Sequence, residues 1–317
     1  MKKKPPIFFV HIPKTGGTSF RKAAEKYYSS KKTIYDYEAN SVETSKIVKK
    51  LIYQKNSIFD FKKHISNTDV RFFGGHVNSS KFLPVFGLRH TVTFVRDPSE
   101  QLISHFRHFK REYGFTGTFE SFATNSVFNS MQSRMLRCVP LEAYGLVGIT
   151  ERYDASIELF NSTYSTSVNS TRMNVAEQQE NEDTIVTTEM TELAKKCTVE
   201  DQIVYDRALQ LLNSRIAIRN KSLPFVHGTI LNNDENLLSG FAFYEGSEAP
   251  VSVILRVNGT VITDAKEAQD FRPILAAFNS PRAGFVGFQF RTPHLVSGDL
   301  LECVVAKTGQ VLWEKSG

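Results

Sequence analysis

Residues 11–20 read HIPKTGGTSF and directly follow the apolar run IFFV at residues 7–10. The apolar run predicts a buried strand, the glycines predict a tight turn, and the hydroxyl residues after them are typical of a helix start. Glycine lets the backbone approach a ligand closely, and the first turn of a helix offers unpaired N–H groups and the positive end of its dipole. The stretch therefore predicts a strand–turn–helix unit that binds a phosphate-like anion, with Lys14 adding a positive charge.

The order of residues in this loop differs from that of a Walker A loop. A Walker A loop carries its lysine after the glycines, in the pattern G-x-x-x-x-G-K-[ST]. Here Lys14 precedes Gly16 and Gly17, and no glycine lies before it in the loop. Taken alone, the stretch is also compatible with an ordinary strand–turn–helix junction that has a surface lysine, so the rest of the chain has to decide.

The composition indicates a globular protein with an anionic partner. Of the 317 residues, 41% are hydrophobic and 23% are charged, and this length suggests about two domains. The net charge of +6 fits nucleic acid, a nucleotide, an acidic glycan or a membrane surface. The three cysteines form no C-x-x-C pair, which argues against a disulfide framework or a zinc site. No apolar run is long enough for a membrane span or a signal peptide, so a cytoplasmic location is expected.

Strands alternate with helices through the first two thirds of the chain. Further strands are predicted at residues 70–73, 90–95 and 146–149. Helical spacing and helix-end signals predict helices at residues 18–28, 42–53 and 98–114. Residues 119–213 are otherwise expected to be mainly helical, with a long polar loop at 162–182. The alternation predicts a P-loop-like parallel sheet flanked by helices. Since ligands bind such sheets at the carboxyl ends of the strands, Lys14, His76 and Arg96 are expected to meet at one edge.

The pattern changes after Leu223-Pro224. Turn signals separate short alternating apolar runs at residues 225–231, 238–244, 251–257, 285–290, 300–306 and 311–313. This pattern is typical of an antiparallel β-sandwich, with helical spacing only around residues 265–278. The domains are therefore expected at residues 1–222 and 223–317.

A second pair of anion-binding residues lies eight positions apart. Arg96 ends a predicted strand, and Ser104 lies two turns into the helix that follows. An arginine fork matches a phosphate, and a serine hydroxyl adds a neutral donor. Arg96 taken alone is better explained by local pairing with Asp97 or Glu100. Together with the loop at residues 11–19, the pair indicates two anion pockets on one sheet edge.

These two motifs resemble those of sulfotransferases that use 3′-phosphoadenosine 5′-phosphosulfate (PAPS). The resemblance is nearest to the branch that includes the uronyl 2-O-sulfotransferases and bacterial relatives. HIPKTGGTS at residues 11–19 is similar to the family's 5′-phosphosulfate loop, and VRDPSEQLISHF at 95–106 is similar to its 3′-phosphate site. Two weaker similarities follow, NSMQSRML at 129–136 and GITER at 148–152.

The resemblance implies an enzyme in which an acceptor hydroxyl attacks sulfur in line and adenosine 3′,5′-bisphosphate (PAP) leaves, with no metal. Lys14 would stabilise the leaving group, by positioning and charge as in phosphoryl transfer. The residues that the resemblance assigns to donor binding are Pro13, Lys14, Thr15, Gly16, Gly17, Thr18, Ser19, Arg96 and Ser104.

The resemblance also gives a candidate general base and an acceptor class. His76 lies in FFGGHV, and the 2-O-sulfotransferases are similar in having a catalytic histidine in an H-G-H-V segment; Gly74 replaces the first of those histidines. Gln132, Arg134 and His105 are expected on the substrate side. The expected acceptor is a carbohydrate or glycolipid hydroxyl, with no nucleic-acid partner and an oligomer possible through the C-terminal domain.

Two alternative functions are a P-loop kinase or NTPase and a non-catalytic glycan-binding protein. The position of Lys14 and the lack of a convincing Walker B acid argue against the first. The presence of Lys14, Arg96 and Ser104 together argues against the second.

Overall fold

The structure is a computed structural model, and it describes residues 5–170 and 186–317. These residues belong to two compact units. The first contains the chain up to Phe86, His90–Cys138 and Leu146–Leu212, and the second contains Gly87–Arg89, Val139–Gly145 and Asn213–Gly317. The boundary expected at residue 222 stays a prediction.

A parallel sheet of five strands forms the centre of the first unit, which confirms the predicted α/β class. Its strands are β1 Ile7–Val10, β2 Thr33–Asp36, β3 Phe72–Gly75, β4 Thr91–Val95 and β5 Leu146–Ile149. Their order in the sheet is β2-β3-β1-β4-β5, and every neighbouring pair is parallel. β1, β3, β4 and β5 are buried along their whole length, as near-continuous apolar runs predict for a sheet that is covered on both faces.

Two strands differ from the prediction. β2 was not predicted, because it is a short edge strand in a polar stretch. β3 lies two residues later than expected, because Gly74 and Gly75 continue the strand and do not turn. A Cβ atom on Gly75 would collide with the Asp36 carbonyl oxygen, so glycine is what lets β2 pair closely here.

Helices connect the strands and continue the chain after β5. They are α1 Gly17–Tyr28, α2 Lys46–Val48, α3 Ile58–Asn67, α4 Leu83–Phe86, α5 Pro98–Tyr113, α6 Phe119–Ala123, α7 Ser126–Asn129, α8 Met131–Leu136, α9 Tyr153–Tyr164, α10 Thr188–Cys197 and α11 Val199–Asn220. α5 begins and ends where the sequence predicts: Asp97 caps it by accepting from the Glu100 N–H at 3.0 Å, and Gly114 ends it in the left-handed region.

Other helices differ from the prediction. The helix expected at residues 42–53 begins four residues later and continues as a π-helix at Lys49–Gln54. α3 was not predicted. The loop expected at residues 162–182 begins only after α9 ends at Tyr164, and its residues 171–185 lie outside the described part of the chain. No described helix has both the length and the apolar character that a membrane span requires.

An aromatic core fixes α1 on the sheet. Phe20 of α1 is fully buried, and its ring centroid lies 4.8 Å from that of Phe9 in β1 and 5.1 Å from that of Phe94 in β4. Burying a phenylalanine side chain contributes about 1.5–3 kcal/mol. The loop between β1 and α1 is therefore held at both ends by the core.

The second unit contains two antiparallel sheets, as the alternating runs after residue 223 predict. Its strands are β6 Val226–Asn233, β7 Leu237–Tyr244, β8 Ser252–Val257, β9 Thr260–Val261, β10 Lys266–Glu267, β11 Asp270–Phe271, β12 Phe285–Arg291, β13 Leu300–Val305 and β14 Val311–Ser316. The sheet orders are β10-β8-β13-β14, with β9 on β8, and β11-β12-β7-β6. One apolar cluster includes Leu255 and Cys303 from the first sheet and Leu238 and Phe288 from the second. The helical spacing noted around residues 265–278 yields only the short helix α12 Pro273–Ala276.

Candidate active site

The carboxyl ends of the parallel strands bring the predicted site residues to one edge of the sheet. The loop with Lys14 follows β1, His76 follows β3, and Arg96 follows β4. The His11 N–H donates to the Gly75 carbonyl at 2.9 Å, which ties the first two segments together. Arg96 Nη1 lies 3.4 Å from the Lys14 carbonyl oxygen, so the third segment reaches the same loop.

The loop at residues 11–16 turns sharply before α1. Lys14 has φ 67° and Gly16 has φ 75°, both in the left-handed region. For a residue with a side chain this conformation costs roughly 1–2 kcal/mol. Such strain persists only where surrounding contacts hold it, and it concentrates at functional sites.

Two side chains from other elements hold this strained loop, and sequence analysis missed both. Gln101 of α5 is buried, and its amide donates to the Pro13 carbonyl at 3.0 Å. The Thr150 hydroxyl, after β5, lies 2.6 Å from the Thr15 carbonyl oxygen. Both residues lie inside segments that carry the family resemblance, and that was the only sequence signal for them.

Lys14 is half-buried in a positively charged neighbourhood. Desolvation lowers the pKa of its ammonium group, and the charges of Arg111 and Arg96 lower it further. A bound anion would offset this repulsion and favour the ammonium form. The surroundings of Lys14 therefore favour a negatively charged neighbour.

Gln132 holds the backbone of Arg96. Its side chain is fully buried, its Oε1 accepts from the Arg96 N–H at 3.0 Å, and its Nε2 donates to the Arg96 carbonyl at 2.9 Å. Buried Asp201 in turn accepts from the backbone N–H groups of Gln132 and Ser133 at 3.0 and 2.7 Å. The substrate-side role of Gln132 stays a prediction, and this burial favours a supporting role under Arg96.

The side chains of Arg96 and Ser104 are available to a ligand. Arg96 forms an ion pair with Glu100 at 3.2 Å, which is the local pairing considered from the sequence. Glu100 is largely exposed, and such pairs contribute about 0–1 kcal/mol, so an anion can replace it. The half-buried Ser104 hydroxyl has no hydrogen-bond partner within residues 5–170 and 186–317.

The other two residues expected on the substrate side have different surroundings. Arg134 donates to the Val127 carbonyl at 2.8 Å. His105 is buried among aromatic rings, with its ring centroid 4.8 Å from that of Phe109. Desolvation lowers the pKa of His105 to about 3, and the charges of His108 and Lys14 act in the same direction. Contact of either residue with a substrate stays a prediction.

His76 is exposed at the sheet edge and packs between two other rings. Its ring centroid lies 4.5 Å from that of His11 and 4.8 Å from that of Tyr37. Desolvation by the surrounding protein atoms lowers its pKa to about 4; the Glu43 carboxylate raises it and Arg21 lowers it. The imidazole is therefore neutral near pH 7 and has a lone pair that can accept a proton.

His11 lies beside His76 at this sheet edge and was not among the site residues predicted from the sequence. It is buried, its ring stacks on Phe9 at 5.2 Å, and its Nδ1 lies 2.7 Å from the Tyr37 hydroxyl. Its position directly after a strand, like that of His76, was the available signal.

No three His, Cys, Asp or Glu side chains converge as a metal site within the described ranges.

Two solved structures are similar to this chain. One is a sulfotransferase from Alicyclobacillus acidocaldarius, at 13% identity over 67% of this chain and 97% of that chain, with a TM-score of 0.37. The other is mouse sulfotransferase SULT7A1 complexed with PAP, at 16% identity over 69% of this chain and 86% of that chain, with a TM-score of 0.36. No curated protein matches the sequence.

The model of the sulfotransferase family matches residues 1–215, which is more than half of the chain. The predicted family is thereby confirmed, at the level of the family as a whole. The strand-end loop with Lys14 and the Arg96–Ser104 pair both lie inside the matched range. The chain belongs to the sulfotransferase family.

Proposed function

We propose that this protein transfers a sulfuryl group from PAPS to a hydroxyl of a carbohydrate or glycolipid, as in the uronyl 2-O-sulfotransferase-like branch. The observation that carries the proposal is the pairing of two anion-binding positions on one sheet edge. The first is the N-terminus of α1 with Lys14, and the second is Arg96 with Ser104. Arg96 Nη1 lies 3.4 Å from the Lys14 carbonyl oxygen, so the two positions are adjacent.

The residues present fit a donor with phosphate groups at two ends. The backbone N–H groups of residues 16–18 suit the phosphosulfate, because the first turn of a helix leaves such groups without an intrahelical partner; the Ser19 N–H donates to the Gly16 carbonyl at 3.1 Å. Arg96 and Ser104 suit the 3′-phosphate, because a guanidinium binds phosphate with two parallel hydrogen bonds. Buried Gln101 and Gln132 hold the two backbones that carry these groups.

The reaction needs little covalent participation by the protein. The acceptor oxygen forms a bond to sulfur, the bond from sulfur to the phosphate oxygen breaks, and the acceptor's proton moves to His76. Lys14 stabilises the charge that develops on the phosphate oxygen. Both contributions depend on positioning, as in other in-line group transfers.

The proposal predicts a clear nucleotide preference. In calorimetric titrations, PAP should bind at least about 100-fold more tightly than ATP with magnesium, since two charge-assisted contacts to the 3′-phosphate are at stake. A preference for ATP with magnesium would favour the kinase or NTPase alternative. Binding of PAP without transfer from labelled PAPS to any acceptor would favour a non-catalytic protein. Oligosaccharides, glycolipids and a tyrosine peptide should be assayed together, and transfer to the peptide alone would contradict the carbohydrate assignment.

Replacing Arg96 with alanine should weaken PAP binding about 10- to 150-fold, because a hydrogen bond to a charged group contributes about 1.5–3 kcal/mol. Adenosine 5′-monophosphate, which lacks the 3′-phosphate, should bind the variant and the wild type equally. Lys63→Ala removes an exposed positive charge on α3 and serves as the control. If Arg96→Ala weakens the binding of both nucleotides equally, or if Lys63→Ala weakens PAP binding as much, then Arg96 does not bind the 3′-phosphate.

A further inference from the structure

His11 lies between the donor loop and the candidate base. Its ring is stacked on Phe9 with an interplanar angle of 21°, and its centroid is 4.5 Å from that of His76. A Cβ atom on Gly17 would lie 2.5 Å from His11 Nε2. Nε2 is therefore next to the first residue of α1, where the backbone N–H groups have no intrahelical partner.

The other ring nitrogen of His11 is bonded to Tyr37, and the surroundings decide which group donates. The Arg21 guanidinium carbon lies 5.2 Å from the Tyr37 ring centroid. Burial raises the pKa of the Tyr37 phenol, against an opposing effect of the Arg21 charge, so the phenol keeps its proton. A guanidinium has only donors, and its charge attracts the lone pairs of the phenol oxygen. The phenol O–H therefore points away from Arg21 and donates to His11 Nδ1, 2.7 Å away.

This hydrogen bond determines the tautomer of His11. Burial, followed by the charges of His76 and Arg21, lowers the pKa of His11 well below its usual value, so the ring is neutral. A neutral imidazole carries one N–H, and a ring whose Nδ1 accepts a proton donor carries it on Nε2. That Nε2–H has no hydrogen-bond partner in the part of the chain that the structure describes.

We propose that Tyr37 holds His11 in the Nε2–H tautomer and that this N–H donates to a sulfuryl oxygen of the donor beside the N-terminus of α1. The inference rests on the proposed function, because PAPS is the donor. It gives the two neighbouring histidines opposite tasks: His76 accepts a proton, and His11 donates a hydrogen bond without losing its own. A neutral imidazole N–H that points at a developing negative charge stabilises it, and a direction fixed by the Tyr37 hydrogen bond needs no reorganisation during the reaction.

The tautomer can be measured in the ligand-free protein by nuclear magnetic resonance with ¹⁵N-labelled histidine. The expected result is a His11 signal with the proton on Nε2, and a shift of that Nε2 when PAPS is added that PAP, which lacks the sulfuryl group, does not cause. A proton on Nδ1 would overturn the inference, because Nε2 would then carry a lone pair. So would an identical response to PAP and PAPS. If neither nucleotide binds, the proposed function fails, and with it the assigned donor.

A conservative variant tests the same point by kinetics. Tyr37→Phe keeps the ring beside His76 and removes only the O–H, so kcat should fall about 10-fold, the loss expected for one hydrogen bond, while PAP affinity stays unchanged. Tyr35→Phe is the matched control. Arg21 also lies over the Tyr35 ring, at 5.4 Å from its centroid, but the Tyr35 hydroxyl donates to Glu25 and not to His11. A His11 tautomer that is unchanged in Tyr37→Phe, with the same kcat as the control, would overturn the role of Tyr37.

Discussion

Replacement of Lys14 with alanine is expected to lower kcat about 100- to 1,000-fold, the effect typical of removing one electrostatic group from the charge that develops in a transition state. Lys14 is half-buried, and its pKa is lowered first by desolvation and then by Arg111 and Arg96. The positive charge of Lys14 is therefore poorly compensated until a negatively charged donor binds beside it. Since the negative charge grows most on the leaving oxygen, kcat and kcat/KM should fall by similar factors, and PAP affinity should change much less.

The control for this variant is Lys22→Ala. Lys22 is an exposed lysine on α1, the same helix that begins at the donor loop. It should keep the activity of the wild type. A Lys14→Ala enzyme with full kcat and only a raised KM would show that Lys14 binds the donor equally in ground and transition states.

His76→Ala should lower kcat about 100- to 10,000-fold, as expected when a general base is lost. The pH dependence follows from the direction of the pKa shift. The pKa of His76 lies at about 4, below its usual value, so the neutral form that accepts a proton is present above that pH and is lost as the pH falls through it. Between pH 5.5 and 8, kcat/KM for the donor should therefore show no step near the usual histidine pKa of about 6.5. Bound PAPS brings negative charge, which favours the imidazolium form. The acid limb of the kcat profile should therefore lie at a higher pH than the acid limb of the kcat/KM profile.

His64→Ala is the matched histidine control, since His64 lies on α3 and its pKa is also lowered by desolvation. It should leave kcat unchanged. Because His76 is exposed, added imidazole should restore part of the activity lost in His76→Ala. Full activity in His76→Ala would assign proton removal to another group, and failure of imidazole rescue together with weakened PAP binding would indicate a structural role.

Much of the fold was predictable from short segments. β1 and β5 are apolar runs whose limits the structure reproduces, and α5 has a capping aspartate, a proline at its start and a glycine at its end, all within one contiguous stretch. β3 was misplaced because Gly74 and Gly75, usually a turn signal, continue the strand, and Gly75 accommodates the close approach of β2. β2 is only four residues long, and its Thr, Ile and Tyr, although typical of strands, lie in a polar stretch that obscures the pattern.

The candidate site divides in the same way. The donor loop with Lys14 and the spacing between Arg96 and Ser104 were readable from the sequence, because each is a local arrangement of strand end, turn and helix. The side chains that hold the backbone of these site residues could not be read from the sequence. Gln132 lies 36 positions from the Arg96 backbone that it holds, and the family resemblance of its segment gave no sign of this supporting contact.

The sequence by itself predicted a strand–turn–helix unit and an arginine–serine pair that suit two anions, and the resemblance of these two motifs to those of sulfotransferases gave the family that the family model confirms. Only the tertiary structure decided what surrounds them. Tyr37 lies 26 positions from His11, and their hydrogen bond exists because β2 brings Tyr37 to the same sheet edge as β1 and β3. The physical reason is that backbone direction follows from local residue patterns, whereas the contacts and protonation of a side chain depend on packing, burial and charges contributed by distant parts of the chain.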